Sequence, residues 1–375
     1  MTRYDATVLI ARTLGAETSD TVFAAHWKAV GEAWPTVLEV ASEQRVATAL
    51  YTRLLPLGYA EEIAEEFREM LGALRLLAEE RNATVLAQAA HAAKALNSAG
   101  ITPVLLKGAG HLASGLHEHP ADRLVGDLDL LVPAALIADA VHALTAAGYT
   151  VQSPDLLHAD GASRVDVHYP PMQHPDWPLL VELHWAVLPR PLGAALPTES
   201  LLARAERIPL EGAEARVLCA EDALLYNILH AEARHHAARA QQAPLWQLYD
   251  SLLLSRRASP AAWGHCCAAG PANAVYVRRH LALLRAFFGL TPTPESAEWS
   301  LDRVATWRLR HGINRDRIGR ADAALCAMLA AIGSEAESLL RQGRQGELLR
   351  KLYSPRALGR RLRNILTRLR KVFAS

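Results

Sequence analysis

Residues 126–132 read Gly-Asp-Leu-Asp-Leu-Leu-Val, two carboxylates one residue apart at the mouth of an apolar run. On an extended chain successive side chains leave opposite faces. Asp127, Asp129 and Leu131 therefore share one face, and Leu128, Leu130 and Val132 share the other. A wholly apolar face has to be buried, so this segment predicts a strand inside a sheet. Only residues 101–218 have the texture to complete that sheet. Within them, 102–108 and 126–132 predict strands, and 109–119 and 134–148 predict helices, the second opened by Pro133 and closed by Gly148. Segments 149–152, 163–169 and 179–188 follow, the last two with the alternation of antiparallel strands joined by a Pro-rich loop.

The flanks read as helices. Residues before about 98 are rich in Ala, Leu, Glu and Arg with apolar residues three and four apart, and Gly100 stops the last of these helices. From Glu221 onward the pattern is helical again. The organisation predicted is an N-terminal helical region (1–98), an α+β core with a short mixed sheet (99–218), a C-terminal helical region (219–340) and a basic amphipathic tail (341–375). The tail holds 11 of the 40 Lys and Arg residues and 1 of the 39 acidic ones, so a net charge of +1 hides an acidic body and a basic end.

The apolar runs fall short of the roughly 20 residues of a membrane-crossing helix, which excludes integral membrane association. The N-terminal stretch has no basic segment ahead of its apolar part and does not read as a secretory signal. Four cysteines without C-x-x-C spacing predict free thiols in a reducing compartment, hence a cytoplasmic protein.

Two nearby carboxylates repel unless a cation compensates them, and Mg²⁺ or Mn²⁺ is the simplest compensation for oxygen ligands. Asp127 and Asp129 alone also fit a solvated strand end. Their company favours chemistry. Lys107-Gly108 ends the preceding apolar run, Gly108-Ala109-Gly110 permits a tight turn toward a helix able to receive phosphate, and Arg123 precedes Asp127 by four residues. Taken singly, Lys107 also reads as a surface lysine and Arg123 as an ion-pair partner of Asp122.

This order resembles the polymerase-beta-like nucleotidyltransferase superfamily. The segments "LLKGAGHLASGL", "DRLVGDLDLLV" and "VELHW" resemble, within it, the bacterial nucleotidyltransferase family 5, over about residues 23–290. The resemblance implies a polymerase-beta-like core and two-metal transfer of a nucleotide from a nucleoside triphosphate, with ATP the one named here. The acceptor is an unidentified hydroxyl or phosphate on a small molecule, peptide, protein or RNA. Asp127 and Asp129 match the two metal ligands. Glu182 in "VELHW" matches the third acid, and Asp166 in "VDVHY" competes with it. Lys107, Gly108, Arg123 and His184 fall to nucleotide or cofactor binding, His184 reading equally as a structural histidine. Where the superfamily has Gly-Ser or Gly-Gly, this chain has Gly108-Ala109.

Other features weigh less. His111, His117 and His119, and again His230, His235 and His236, lack zinc-site spacing. His230 and Arg234 share a helix face that can touch a base or acceptor or pack locally, and Asp250 reads as a buried helix-pairing acid. The tail's leucine stripe suits docking on the acidic body. The alternative to an enzyme is a non-catalytic module of the same fold that binds nucleic acid or a protein through this tail.

Overall fold

The computed structural model describes residues 1–15, 30–56, 63–154, 167–234, 243–259 and 261–290, with a few single residues between and after them. Asp166, His235, His236, Cys326 and the whole basic tail lie outside the described residues. Among the described residues the chain opens with the helices α1 (Arg3–Gly15), α2 (Trp34–Glu43) and α3 (Ala47–Leu54). They are followed by α4 (Glu65–Ser98), 34 residues long. Its first turn carries Glu65 and Glu66, which suit the positive end of the helix dipole, and Gly100 ends it with φ 73°.

Two buried polar residues make α4 a brace for the sheet. Asn82 donates from Nδ2 to the carbonyls of Pro120 and Arg123. Gln88 donates to the Leu179 carbonyl and accepts from the Leu179 amide. One helix thus fixes the connection that leads into the acidic strand and the residue just ahead of the strand carrying Glu182.

The strands are β1 (Val104–Leu105), β2 (Leu128–Leu131), β3 (Thr150–Val151), β4 (Met172–Gln173), β5 (Val181–His184), β6 (Glu206–Leu210) and β7 (Ala213–Val217). Between them lie α5 (Lys107–Ala113), α6 (Ile137–Ala146) and α7 (Thr198–Arg204). They form a seven-stranded sheet in the order β3-β4-β5-β2-β1-β7-β6. β2 runs parallel to β5 and β1 parallel to β7, and the remaining pairs are antiparallel. The mixed sheet and the alternation of β2 agree with the sequence reading. Leu128, Leu130 and Val132 enter a core with Val85, Ala89 and Leu96 of α4 and Leu144 of α6, whereas Leu131 enters a second core with the flanking helices. His168 makes an antiparallel bridge to His184, as expected of the 163–169 segment.

The β6–β7 hairpin was not legible as strands. It turns at Glu211-Gly212, Gly212 having φ 68°, and delivers β7 to the free edge of β1. After the hairpin come α8 (Ala220–Leu229), a π-helical turn (His230–Arg234), α9 (Leu245–Arg257), α10 (Ala262–Cys267) and α11 (Pro271–Phe288). Among the described residues no helix is long and apolar enough to cross a membrane.

The glycines after β1 act differently from the expectation of a flexible turn. The chain enters α5 through Lys107, whose φ of 47° is left-handed, while Gly108 and Gly110 lie inside the helix. A Cβ at Gly110 would stand 2.5 Å from the Leu105 carbonyl oxygen, but one at Gly108 would meet its nearest neighbour, Val125, at 3.4 Å. Gly110 lets α5 lie directly on β1. Gly110→Ala should cost about 1–3 kcal/mol in urea unfolding. Gly108→Ala should be neutral or stabilising by up to about 1 kcal/mol, because it adds only an ordinary contact to a helical position.

Candidate active site

Asp129 sits in the middle of β2, 1% exposed, and its register partner on β5 is Glu182. Leu131 is likewise opposite His184. Neighbouring parallel strands in register present paired residues on the same face, so Glu182 and His184 emerge beside Asp129. His184 Nε2 lies 2.8 Å from Asp129 Oδ1 and 3.5 Å from Glu182 Oε2. Lys107 Nζ, carried across by the left-handed backbone, donates to the same Asp129 Oδ1 at 2.6 Å. His168 Nε2 stands 3.8 Å from Glu182 Oε2.

The charges divide the carboxylates. Burial alone would raise the Asp129 pKa, but the Lys107 ammonium and the hydrogen bond from His184 outweigh it and hold the carboxyl well below its usual range. Glu182, also pushed up by burial, is brought below its ordinary value chiefly by His184. Asp127 moves the other way, raised by burial and then by the charge of Asp129. His184 is raised despite burial by its bonds to Asp129 and Glu182, so the imidazole is favoured in its charged form.

Ligand atoms of Asp129, Glu182 and His184 all lie within 4.8 Å of one another. Asp127 is outside this set. It precedes β2 and lines the adjoining cavity instead, within electrostatic reach of both Asp129 and Glu182. The two carboxylates of the set fit a divalent cation on one direct observation: Asp129 Oδ2 is buried and has no hydrogen-bond partner among the described residues. A buried carboxylate oxygen left without a donor is costly unless something positive meets it. The half-buried Glu182 carboxylate beside it offers the oxygen donors that Mg²⁺ or Mn²⁺ prefers.

The cavity measures about 320 Å³. Lys107, Gly108, Arg123 and Asp127 line it from the sheet side, Tyr226, Asn227 and His230 from α8 and the π turn, and Trp246 and Gln247 from α9. Arg45, at its rim, is exposed and left-handed with φ 55°. Arg45, Lys107 and Arg123 against Asp127 give the lining an excess of positive charge suited to an anion.

Arg123 pairs with neither Asp122 nor open solvent. Its Nε lies 3.0 Å from Asp250 Oδ2, and its guanidinium stacks 4.3 Å over the Trp246 ring. Asp122 accepts from Thr52 instead. Asp250 is fully buried and also meets His117 Nε2 at 2.8 Å and His111 Nδ1 at 3.4 Å. Two of the three histidines weighed as zinc ligands thus converge on one carboxylate, while His119 accepts the Ala121 amide in the turn before Arg123. Sequence reasoning placed Asp250 in a helix pair but missed its basic partners. It missed Tyr226, Trp246 and Gln247 altogether. The only signal for Gln247 was one amide in the apolar run "LWQLYDSLLL".

A family model described as an uncharacterised nucleotidyltransferase matches residues 31–285. The chain belongs to that family. No curated protein matches it. In this nucleotidyltransferase the matched span runs from the helices before the sheet into α11, and so includes the acidic cluster and every named wall of the cavity.

The knot at Asp250 makes a stability prediction. Burial would raise its pKa, but Arg123 and the two histidines hold it well below the usual carboxylate range. A carboxyl lowered on folding stabilises above its unfolded pKa of about 3.9, and that contribution is lost as pH falls toward the folded value. Asp250→Asn should cost about 3–5 kcal/mol at neutral pH by leaving Arg123 buried and unpaired. The gap between wild type and variant in urea unfolding should narrow below about pH 4.

Proposed function

We propose that this nucleotidyltransferase moves a nucleoside monophosphate from a nucleoside triphosphate, ATP being the one named, to a hydroxyl or phosphate on an acceptor such as a small molecule or peptide. The observation that carries the reading is the pairing of Asp129 with Glu182 in register on parallel strands, one Asp129 oxygen unpartnered, beside a cation-lined cavity. In this reading residues 99–218 are a polymerase-beta-like core, residues 1–98 and 219–340 the helical regions that wall it, and residues 341–375 a separate tail.

Asp127, Asp129 and Glu182 would hold Mg²⁺ or Mn²⁺. A divalent ion there supplies charge neutralisation at the phosphates and a lowered pKa for the acceptor hydroxyl. The chain's own groups do the rest. Lys107 bridges the two parts of the site, since it lines the cavity and donates to Asp129, and its position suits a triphosphate oxygen. Its ammonium stays protonated. Burial opposes that charge, but nearby Asp129 and Asp127 favour it, and the net shift is upward. Arg123 adds a second cation whose guanidinium cannot swing away, because Asp250 and Trp246 hold it. His184 is placed to orient two carboxylates at once and so to fix the acidic face before substrate arrives. Positioning of this kind is the main protein contribution to phosphoryl-type transfer.

The test is incubation of the full chain with each labelled nucleoside triphosphate, Mg²⁺ or Mn²⁺, and a cell extract as acceptor source. Label should pass to one extract fraction and be lost with Asp127→Ala, Asp129→Ala. Loss should exceed the about 10- to 100-fold that removing an outer partner of a metal ligand costs. Equal labelling by wild type and double variant would refute the assignment. Independently of turnover, Glu182→Gln should weaken Mn²⁺ binding at least about tenfold by titration.

A further inference from the structure

The cavity beside the acidic cluster is lined by groups of different chemistry. Lys107 and Asp127 come from the sheet side. The helices contribute Asn227 from α8, His230 from the π turn, and Trp246 and Gln247 from α9. Three buried polar atoms in this lining lack hydrogen-bond partners among the described residues: His111 Nδ1, which still faces the Asp250 carboxylate at 3.4 Å, the Tyr226 hydroxyl and Gln247 Nε2. Tyr226 and Gln247 are deeply buried, Gln247 being 1% exposed.

The main chain around Gln247 is already committed. Its carbonyl accepts from Asn227 Nδ2 at 2.7 Å, and the same Nδ2 donates to Ser251 Oγ at 2.8 Å. Ser251 is in turn 2.9 Å from His280, which meets the buried Glu232. A chain of bonds from α9 to α11 therefore fixes the backbone that presents the amide while Nε2 itself stays unpaired. Buried amides are nearly always satisfied, so an exception on a cavity wall points to a partner that arrives from outside.

Flat groups share the lining with Gln247. Trp246 and Tyr226 line the cavity, and the Arg123 guanidinium, stacked on Trp246, adds a third planar surface. Aromatic rings and guanidinium planes are the surfaces on which unstacked bases are held, and a terminal amide matches the paired donors and acceptors of a base edge. A polyphosphate offers no flat face to these rings, whereas a base offers both a flat face and an edge that pairs with an amide.

Resting on the nucleotidyltransferase reading above, we propose that the nucleobase of the triphosphate substrate lies against the α9 wall of this cavity and that Gln247 selects it. The triphosphate then points to Lys107 and Asp127, and the Tyr226 hydroxyl meets the sugar or phosphate between them.

The experiment compares equilibrium binding of the four nucleoside triphosphates and of ribose 5-triphosphate, which lacks only the base, to the full chain with Mg²⁺. One nucleoside triphosphate should bind at least about tenfold more tightly than ribose 5-triphosphate, the effect expected of satisfying one buried donor. Gln247→Met, which keeps length without the amide, should weaken that nucleotide about tenfold and flatten the ranking of bases. The loss should fall on the base-bearing ligands. Gln247→Ala is a second, smaller variant should Met not be accommodated, and the wild-type comparison stands without either. Equal binding of all five triphosphates to wild type overturns base recognition and leaves the transferase reading standing. A folded Gln247 variant with an unchanged ranking overturns the role of Gln247. Failure of every triphosphate to bind overturns both readings.

Discussion

The parallel pairing of β2 with β5 is the constraint on which the rest of the structure depends. Its register sets Asp129 against Glu182 and Leu131 against His184, and a slip of one residue would exchange every side chain between faces. Asp129 would then enter the apolar core that now holds Leu128 and Leu130. Three contacts hold the register from outside the ladder: the Leu128 amide on the Leu180 carbonyl, the Val132 amide on the His184 carbonyl, and the two-way clamp of Gln88 on Leu179. The long helix thus ties down, through Gln88, the chain that enters β5.

Stability alone gives little reason for this arrangement. A buried carboxylate beside a half-buried one, a lysine in a left-handed conformation and a histidine wedged between acids each carry a cost, and the lysine's backbone alone costs about 1–2 kcal/mol. Lys107 and His184 both bond to one oxygen of Asp129 and leave the other oxygen bare. Clusters arranged for stability satisfy their members; this one leaves a buried carboxylate oxygen without a donor among the described residues. The opposite shifts of Asp127 and Asp129 follow from their partners. Burial raises both, Lys107 and His184 bring Asp129 down, and the charge of Asp129 adds to the rise of Asp127.

What was legible in the chain follows the range of the interactions. The alternation of β2 is local, so the faces of Asp127, Asp129 and the leucines could be read directly. Glu182 could be named only through family resemblance, because a register between residues 53 apart leaves no mark on either segment. Arg123 was assigned a plausible neighbour, Asp122, for want of knowing that residue 250 would be closer. The β6–β7 hairpin escaped because Pro209 and four charged residues interrupt its apolar pattern, as suits a hairpin at the sheet's edge whose outer strand is largely exposed. The glycines after β1 promised a turn by composition, yet Gly110 is needed for the closeness of α5 to a carbonyl, which only packing reveals.

The cavity wall shows why the C-terminal helices belong to the site rather than merely covering it. Asp250 and Gln247 sit three residues apart on α9, and so on adjoining parts of one helix face. Asp250 is tied to Arg123, His111 and His117 on the sheet side, which fixes the rotation and depth of α9 against the core. Once that rotation is fixed, Gln247 has no freedom to turn outward, and its amide stays at the cavity wall without a partner. The charged knot and the unpaired amide are then two consequences of one docking event. A helix anchored by four buried ionisable groups can keep a donor unsatisfied at the wall, where a loosely docked helix would rotate to hydrate it.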